Sequence, residues 1–317
     1  DGTNVVISGG TVVVDAASVV IDTEVGNNGN AGAVNFTGVT LIRADAVSRN
    51  LSIQTDTSNL GSSNGAVTLA AFGSAGGQLV NDLTIGADDA ATTGATVTIP
   101  ANSQIAGTLS ITAGPIASNA TFTAGASTTI SLTSDAAITD GNGAAANFVA
   151  ATGTLSASAA TGINLDTTVA SASASVSGTG AIAIRATAGG LTVTSASANN
   201  GSITLNATGG TLAINGNVST TGANNISLTG AGITAAAGVT VNGGTGTILL
   251  DGNGGAISLD ATSSLTTSNA GVTAITIRDA TTVALGGISA SSGTVVLGVS
   301  QDITGAVLSF QNLGGAK

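Results

Sequence analysis

The chain has no cysteine, histidine, methionine, tryptophan or tyrosine, and only two prolines among its 317 residues. Without cysteine there is no disulfide framework to staple a small fold, and the redox compartment leaves no mark on the sequence. Without histidine the commonest general base and metal ligand is missing. Charge is scarce too. Only 7% of residues are charged, against about 25% in an average soluble domain. The five basic residues, Arg43, Arg49, Arg185, Arg278 and Lys317, are scattered, and with 16 acidic residues they leave a net charge of −11. Nucleic-acid binding needs clustered Lys and Arg to neutralise phosphates, so that class is excluded. Attachment to anionic lipid fails for the same reason. No run of about 18 apolar residues exists to cross a membrane as a helix. The opening Asp1-Gly2-Thr3-Asn4 has neither an initiator Met nor a basic, apolar leader, which reads as a processed chain or a piece of a longer one.

What is present is a repeat. Between Ile182 and Leu297, apolar-x-apolar triplets recur: Ile182-Ala-Ile184, Leu191-Thr-Val193, Ile203-Thr-Leu205, Leu212-Ala-Ile214, Ile226-Ser-Leu228, Ile248-Leu-Leu250, Ile257-Ser-Leu259, Ile275-Thr-Ile277, Val283-Ala-Leu285 and Val295-Val-Leu297. Taking one triplet per unit, the starts at 182, 203, 226, 248, 275 and 295 are 21, 23, 22, 27 and 20 residues apart. A period in this range is the mark of stacked coils. Alternation at period two makes each triplet a short strand with Ile or Leu inward and Ser or Thr outward. Pairs such as Gly209-Gly210, Asn215-Gly216 and Gly254-Gly255 supply the corners, because Gly and Asn tolerate positive φ. The 47 glycines argue against helix. A 42% apolar content argues against disorder.

The N-terminal part keeps this alphabet with looser spacing. Leu51-Ser-Ile53, Val67-Thr-Leu69, Leu83-Thr-Ile85, Val97-Thr-Ile99 and Leu109-Ser-Ile111 follow one another at 16, 16, 14 and 12 residues. Longer loops are expected to leave the coil at Asn27–Asn30, Thr57–Asn64 and Asp140–Asn147. The pattern predicts an all-β chain, a right-handed parallel β-helix (β-solenoid) of roughly 14 coils of about 22 residues. It would be one continuous solenoid over 1–317, less regular over 1–180 and regular over 181–300. Hairpins built on Asn-Gly turns are the structural alternative. Neither end reads as a cap, so neighbouring material is expected to stack on at least one end.

Two stretches, GSITLNATGGTLAING at 201–216 and TILLDGNGGAISLD at 247–260, carry a resemblance. They are similar to the shaft repeats of bacterial filamentous-haemagglutinin-like exoproteins, the β-helical adhesins secreted by two-partner systems or as autotransporters. The resemblance covers most of 180–300, and the remainder less regularly; the family's secretion motifs near the mature N-terminus are not evident. It implies an extracellular structural or adhesive shaft, secreted or on a bacterial cell surface. Partners would be neighbouring coils or identical subunits at the solenoid ends, and host or neighbouring-cell surface glycans or proteins.

Many β-helices act on polysaccharides, a chemistry that needs clustered acidic and basic residues. Asp88-Asp89 resembles the paired carboxylates of such hydrolases, but there is no histidine and the single lysine is terminal. No convergent acid–base set forms, and a solvated turn is the reading preferred. Gly243-Gly-Thr-Gly246 starts like a calcium-binding nonapeptide, yet Ile248 stands where the motif needs Asp. Asp140-Gly-Asn-Gly143 and Asp251-Gly-Asn-Gly254 look like fragments of calcium loops without the rest of the pattern. Thr-x-Thr triplets at 96, 121, 152, 192 and 245 begin 25, 31, 40 and 53 residues apart, so they do not repeat on one face as an ice-binding ladder would. The expectation is therefore no catalytic residue, no cofactor and no metal. Two function classes remain beside the enzyme: a shaft whose binding residues lie elsewhere, and a filament subunit that stacks end to end.

Overall fold

The computed structural model describes residues 2–26, 28–88 and 93–298 and the backbone of the strand Leu308–Phe310. Asn27, Asp89 and Lys317 lie outside the described residues. No helix occurs among them; every strand pairing between named strands whose register is defined is parallel. This excludes the hairpin alternative for those strands. The chain divides into two compact units, one of Asp1–Ala160 with Leu165–Val169 and the other of Thr161–Asn164 with Ala170–Lys317.

The second unit follows the period read from the sequence. Ile182, Ile203, Ile226, Ile248, Ile275 and Val295 pair in one unbroken column. Leu191, Leu212, Ile233, Ile257 and Val283 form a second. A third column, Ala196, Val218, Val241, Leu265 and Ile288, escapes a search for triplets. Its strands, such as Val218–Thr220 and Ser264–Thr266, carry one large apolar residue each. The coil therefore has three strands, and the column residues Ile203, Ile226, Ile248, Leu212, Ile233 and Val218 are all at 0% exposure. Parallel strands buried on the inner face stack like on like, so each coil covers the apolar row of the one before it.

In the first unit the leading coils are longer. Val34, Val67, Val97, Ile116 and Ile138 form one column. Val19, Leu51, Leu83, Leu109, Ile130 and Leu155 form another. The triplets at 51, 67, 83, 97 and 109 thus belong alternately to two columns, and the true step from Leu51 to Leu83 is 32 residues. This corrects the coil count. The stack has about nine turns, not 14 of about 22 residues.

The first unit also holds the buried aromatic residues. Phe36, Phe122 and Phe148 are fully buried and Phe72 nearly so. Phe122 and Phe148 occupy paired positions in successive coils, and the Phe72 and Phe122 ring centroids are 6.2 Å apart. Each ring fills interior volume that a smaller side chain would leave empty.

Two backbone devices close the corners. In the first, a buried hydroxyl at a strand end donates to a glycine carbonyl: Thr23 to Gly32, Thr55 to Gly65, Ser134 to Gly114, Thr220 to Gly201 and Thr267 to Gly246. Each satisfies polar groups that water cannot reach. In the second, glycine allows coils to touch. A Cβ on Gly201 would overlap the carbonyl oxygen of Gly180, and one on Gly180 that of Thr161. The loop 57–64 leaves Leu60 exposed at 81% but is anchored at its base. Thr57 is fully buried and donates from Oγ1 to the Gly29 carbonyl at 2.8 Å, while Asn59 Nδ2 reaches the Asn28 carbonyl at 2.9 Å.

Candidate functional site

Asp88 follows the strand Leu83–Ala87 and is half-buried, with Gly94 packed against its side chain. Pairing of Asp22 with Gln54 and of Gln54 with Gly86 fixes the register. Two residues further on, Glu24, Asp56 and Asp88 therefore hold the same position in successive coils. Reading the sequence for adjacent acidic pairs missed this column; the signal was a carboxylate every 32 residues.

Glu24 is the most enclosed of the three, at 2% exposure. Its Oε1 accepts the backbone N–H of Asn28 at 2.8 Å and of Gly29 at 3.2 Å, while Oε2 has no partner. It caps the turn that leaves the strand Ser18–Asp22, a role in which a carboxylate replaces missing backbone acceptors. Among the described residues no group of three or more His, Cys, Asp or Glu side chains is placed to hold a metal ion. Among the described residues no Lys or His stands beside the column, since the chain has no His and its one Lys, Lys317, lies outside them.

In the two calcium-loop fragments the Asp side chains bond groups of the turn and of a neighbouring coil. Asp140 Oδ1 accepts the Asn142 N–H at 2.8 Å and Asn147 Nδ2 at 3.0 Å, and Asn147 is fully buried. Asp251 Oδ1 accepts the Asn253 N–H at 3.1 Å, and its Oδ2 receives Arg278 Nε at 2.9 Å. The run Gly243–Thr247 leads into the strand that starts at Ile248, whose side chain is wholly interior. Asp there would place a charge in the apolar column.

The outward rows are hydroxyl-rich. Ser52, Thr84, Ser110, Ser131 and Ser156 occupy one outward column in the first unit. Beside it Thr129 and Thr154 exchange a hydrogen bond at 3.1 Å, and Ser127 and Thr152 one at 3.0 Å. A search for Thr-x-Thr overlooks this row because four of its five positions are Ser. Two exposed carboxyls stand out electrostatically. The Thr262 hydroxyl and N–H, at 2.6 and 2.8 Å, hold Asp260 below its ordinary pKa. A hydrogen bond from Arg49 at 2.7 Å does the same for Asp45.

No protein-family model, no curated protein and no solved structure matches the chain. The class that its own geometry defines is the parallel β-solenoid.

Proposed function

We propose that this chain is a non-catalytic structural or adhesive shaft, a right-handed parallel β-helix in a bacterial surface or secreted extracellular fibre. One observation carries the reading: the side chains are committed to joining each coil to the next. Ile, Leu and Val columns fill the interior, buried Thr and Ser tie glycine carbonyls, and outward hydroxyls and amides bond along the stack, as in Asn224 Nδ2 to Asn200 Oδ1 at 3.2 Å. The right hand follows from the twist that makes parallel crossovers right-handed in about 98% of cases. Receptor contacts, whether to surface glycans or to proteins, fall to other parts of such a fibre.

A second reading, end-to-end assembly of identical subunits, is favoured by the strands Val5–Ser8, Thr11–Val14 and Ser18–Asp22. There Val6, Val13 and Val20 are exposed at 67%, 39% and 59%, where later coils place Asn35, Arg43 and Ser52. Exposed apolar side chains of this kind favour contact with a further copy of the chain.

Antibodies against the chain should label intact cells of its source, and labelling only after permeabilisation would sink the shaft reading. Electron microscopy of purified chain distinguishes the second reading: continuous fibres of fixed width support it, and single particles at all concentrations reject it. Cleavage of an acidic polysaccharide that is lost in Asp88→Ala would overturn the non-catalytic assignment.

A further inference from the structure

Seven Asn-Gly pairs occur, at Asn28, Asn64, Asn142, Asn200, Asn215, Asn242 and Asn253. Glycine after asparagine leaves the following backbone nitrogen unobstructed, so each pair could form a succinimide if the local chain were free to bend. The fold restrains most of them. Gly29 N donates to Glu24 Oε1, Gly65 N to the Thr55 carbonyl and Gly243 N to the Thr266 carbonyl. The side chain of Asn142 is held by Ala146 and Asn147, and that of Asn200 by Asn224. Asn215 is exposed, but Gly216 is pressed against the Thr194 carbonyl, which a Cβ there would overlap.

Asn253 differs in its surroundings, although its N–H is held by Asp251 Oδ1. It is exposed, its φ is already +41°, and Gly254 at φ +78° has nothing within 4 Å of where a Cβ would stand. We infer that Asn253 is the preferred site of spontaneous modification in the folded protein, with water as the only co-reactant. The Gly254 nitrogen attacks Asn253 Cγ; the N–Cγ bond forms, the Cγ–Nδ2 bond breaks, and Nδ2 leaves as ammonia with the proton from nitrogen. Water then opens the succinimide at either carbonyl, giving Asp or isoaspartate at position 253. The product places a new carboxylate two residues from Asp251, whose Oδ2 is paired with Arg278.

The sparse arginines make the test direct. Cleavage after Arg185 and Arg278 yields one peptide, 186–278, that carries Asn200, Asn215, Asn242 and Asn253 together. The folded chain is aged at mildly alkaline pH in ¹⁸O-water, digested, and sequenced by electron-transfer fragmentation, which locates the label and distinguishes isoaspartate. Asn253 is expected to convert at least about tenfold faster than the other three, a ratio equal to about 1.4 kcal/mol in barrier. In urea the four rates should converge. Asn253→Gln should remove the fast conversion while leaving the circular dichroism spectrum intact. Equal or faster conversion of Asn215, or the same ranking in folded and unfolded chain, would overturn the assignment.

Discussion

Arg278 reaches back one coil to Asp251, placing Nη2 at 2.8 Å and Nε at 2.9 Å from the same Oδ2. The two residues are register partners in adjacent strands, so the pair joins consecutive turns on the outer surface. The Arg278 side chain keeps 52% of its exposure and that of Asp251 15%. Water and salt therefore screen the attraction strongly. Arg278→Gln is expected to cost no more than about 1 kcal/mol, the range for exposed pairs. Half a molar salt should erase most of the difference from the parent chain. Urea unfolding at two ionic strengths checks both; a loss that ignores salt would mean the pair acts through packing.

Ile248 lies between Ile226 and Ile275 in the interior column, at 0% exposure. Ile248→Ala should cost about 2–5 kcal/mol, because neighbouring coils held in register cannot collapse into the cavity. Ser227→Ala, one residue along the facing strand but outward, should stay within about 0.5 kcal/mol of the parent. Chemical denaturation of both variants tests the inside–outside assignment, and a costly Ser227 variant would reverse it.

Gly201 touches the coil before it through the Gly180 carbonyl. Gly201→Ala is expected to destabilise by about 1–3 kcal/mol through overpacking. Gly238, at φ +72° with open space around it, provides the contrast: Gly238→Ala carries backbone strain but no collision. The first variant should also shift nearby amide hydrogen exchange in the Gly180 turn, and the second should not.

How much of this was legible in the sequence follows from what each residue type must do. Ile203-Thr-Leu205 and Ile226-Ser-Leu228 announce strands because both inward positions are large. Val218-Ser-Thr220 does not, since its second inward position is Thr220, a buried hydroxyl bound to Gly201. Leu265-Thr-Thr267 is hidden in the same way, while Val241-Asn-Gly243 and Ile288-Ser-Ala290 escape because their second inward residue is small. In the first unit, equal triplets on two faces imitate a half-length repeat, and only pairing tells Val67 from Leu83. The column Glu24, Asp56, Asp88 was invisible while the 32-residue step was unknown. Its enclosure depends on loops whose stacking no local pattern records.

Thr220 supplies a further check, on the buried hydroxyls. Thr220→Val keeps the side-chain shape and removes the donor, leaving the Gly201 carbonyl short of one partner in the interior. A loss of about 1–3 kcal/mol is expected, the cost of an unsatisfied buried group. Thr220→Ser should retain most of the stability. If Val proves as stable as the parent, the hydroxyl bond is dispensable at this corner.

Asp260 and Asp45 predict the acid limb of the stability profile. Both carboxyls are held below the ordinary value of 3.8, Asp260 by Thr262 and Asp45 by Arg49. A carboxyl with a depressed folded pKa binds fewer protons folded than unfolded. Its contribution is complete above the unfolded value and is lost as pH falls through the folded one. From these two groups stability should be level from neutral pH down to about pH 5, then decline below about pH 4. Asp260→Asn removes one titrating group and should make that decline shallower without altering the neutral plateau's flatness. Unfolding midpoints measured from pH 7 to pH 2 decide the matter. A slope centred near neutrality would require a different titrating group, and the chain has no histidine to provide one.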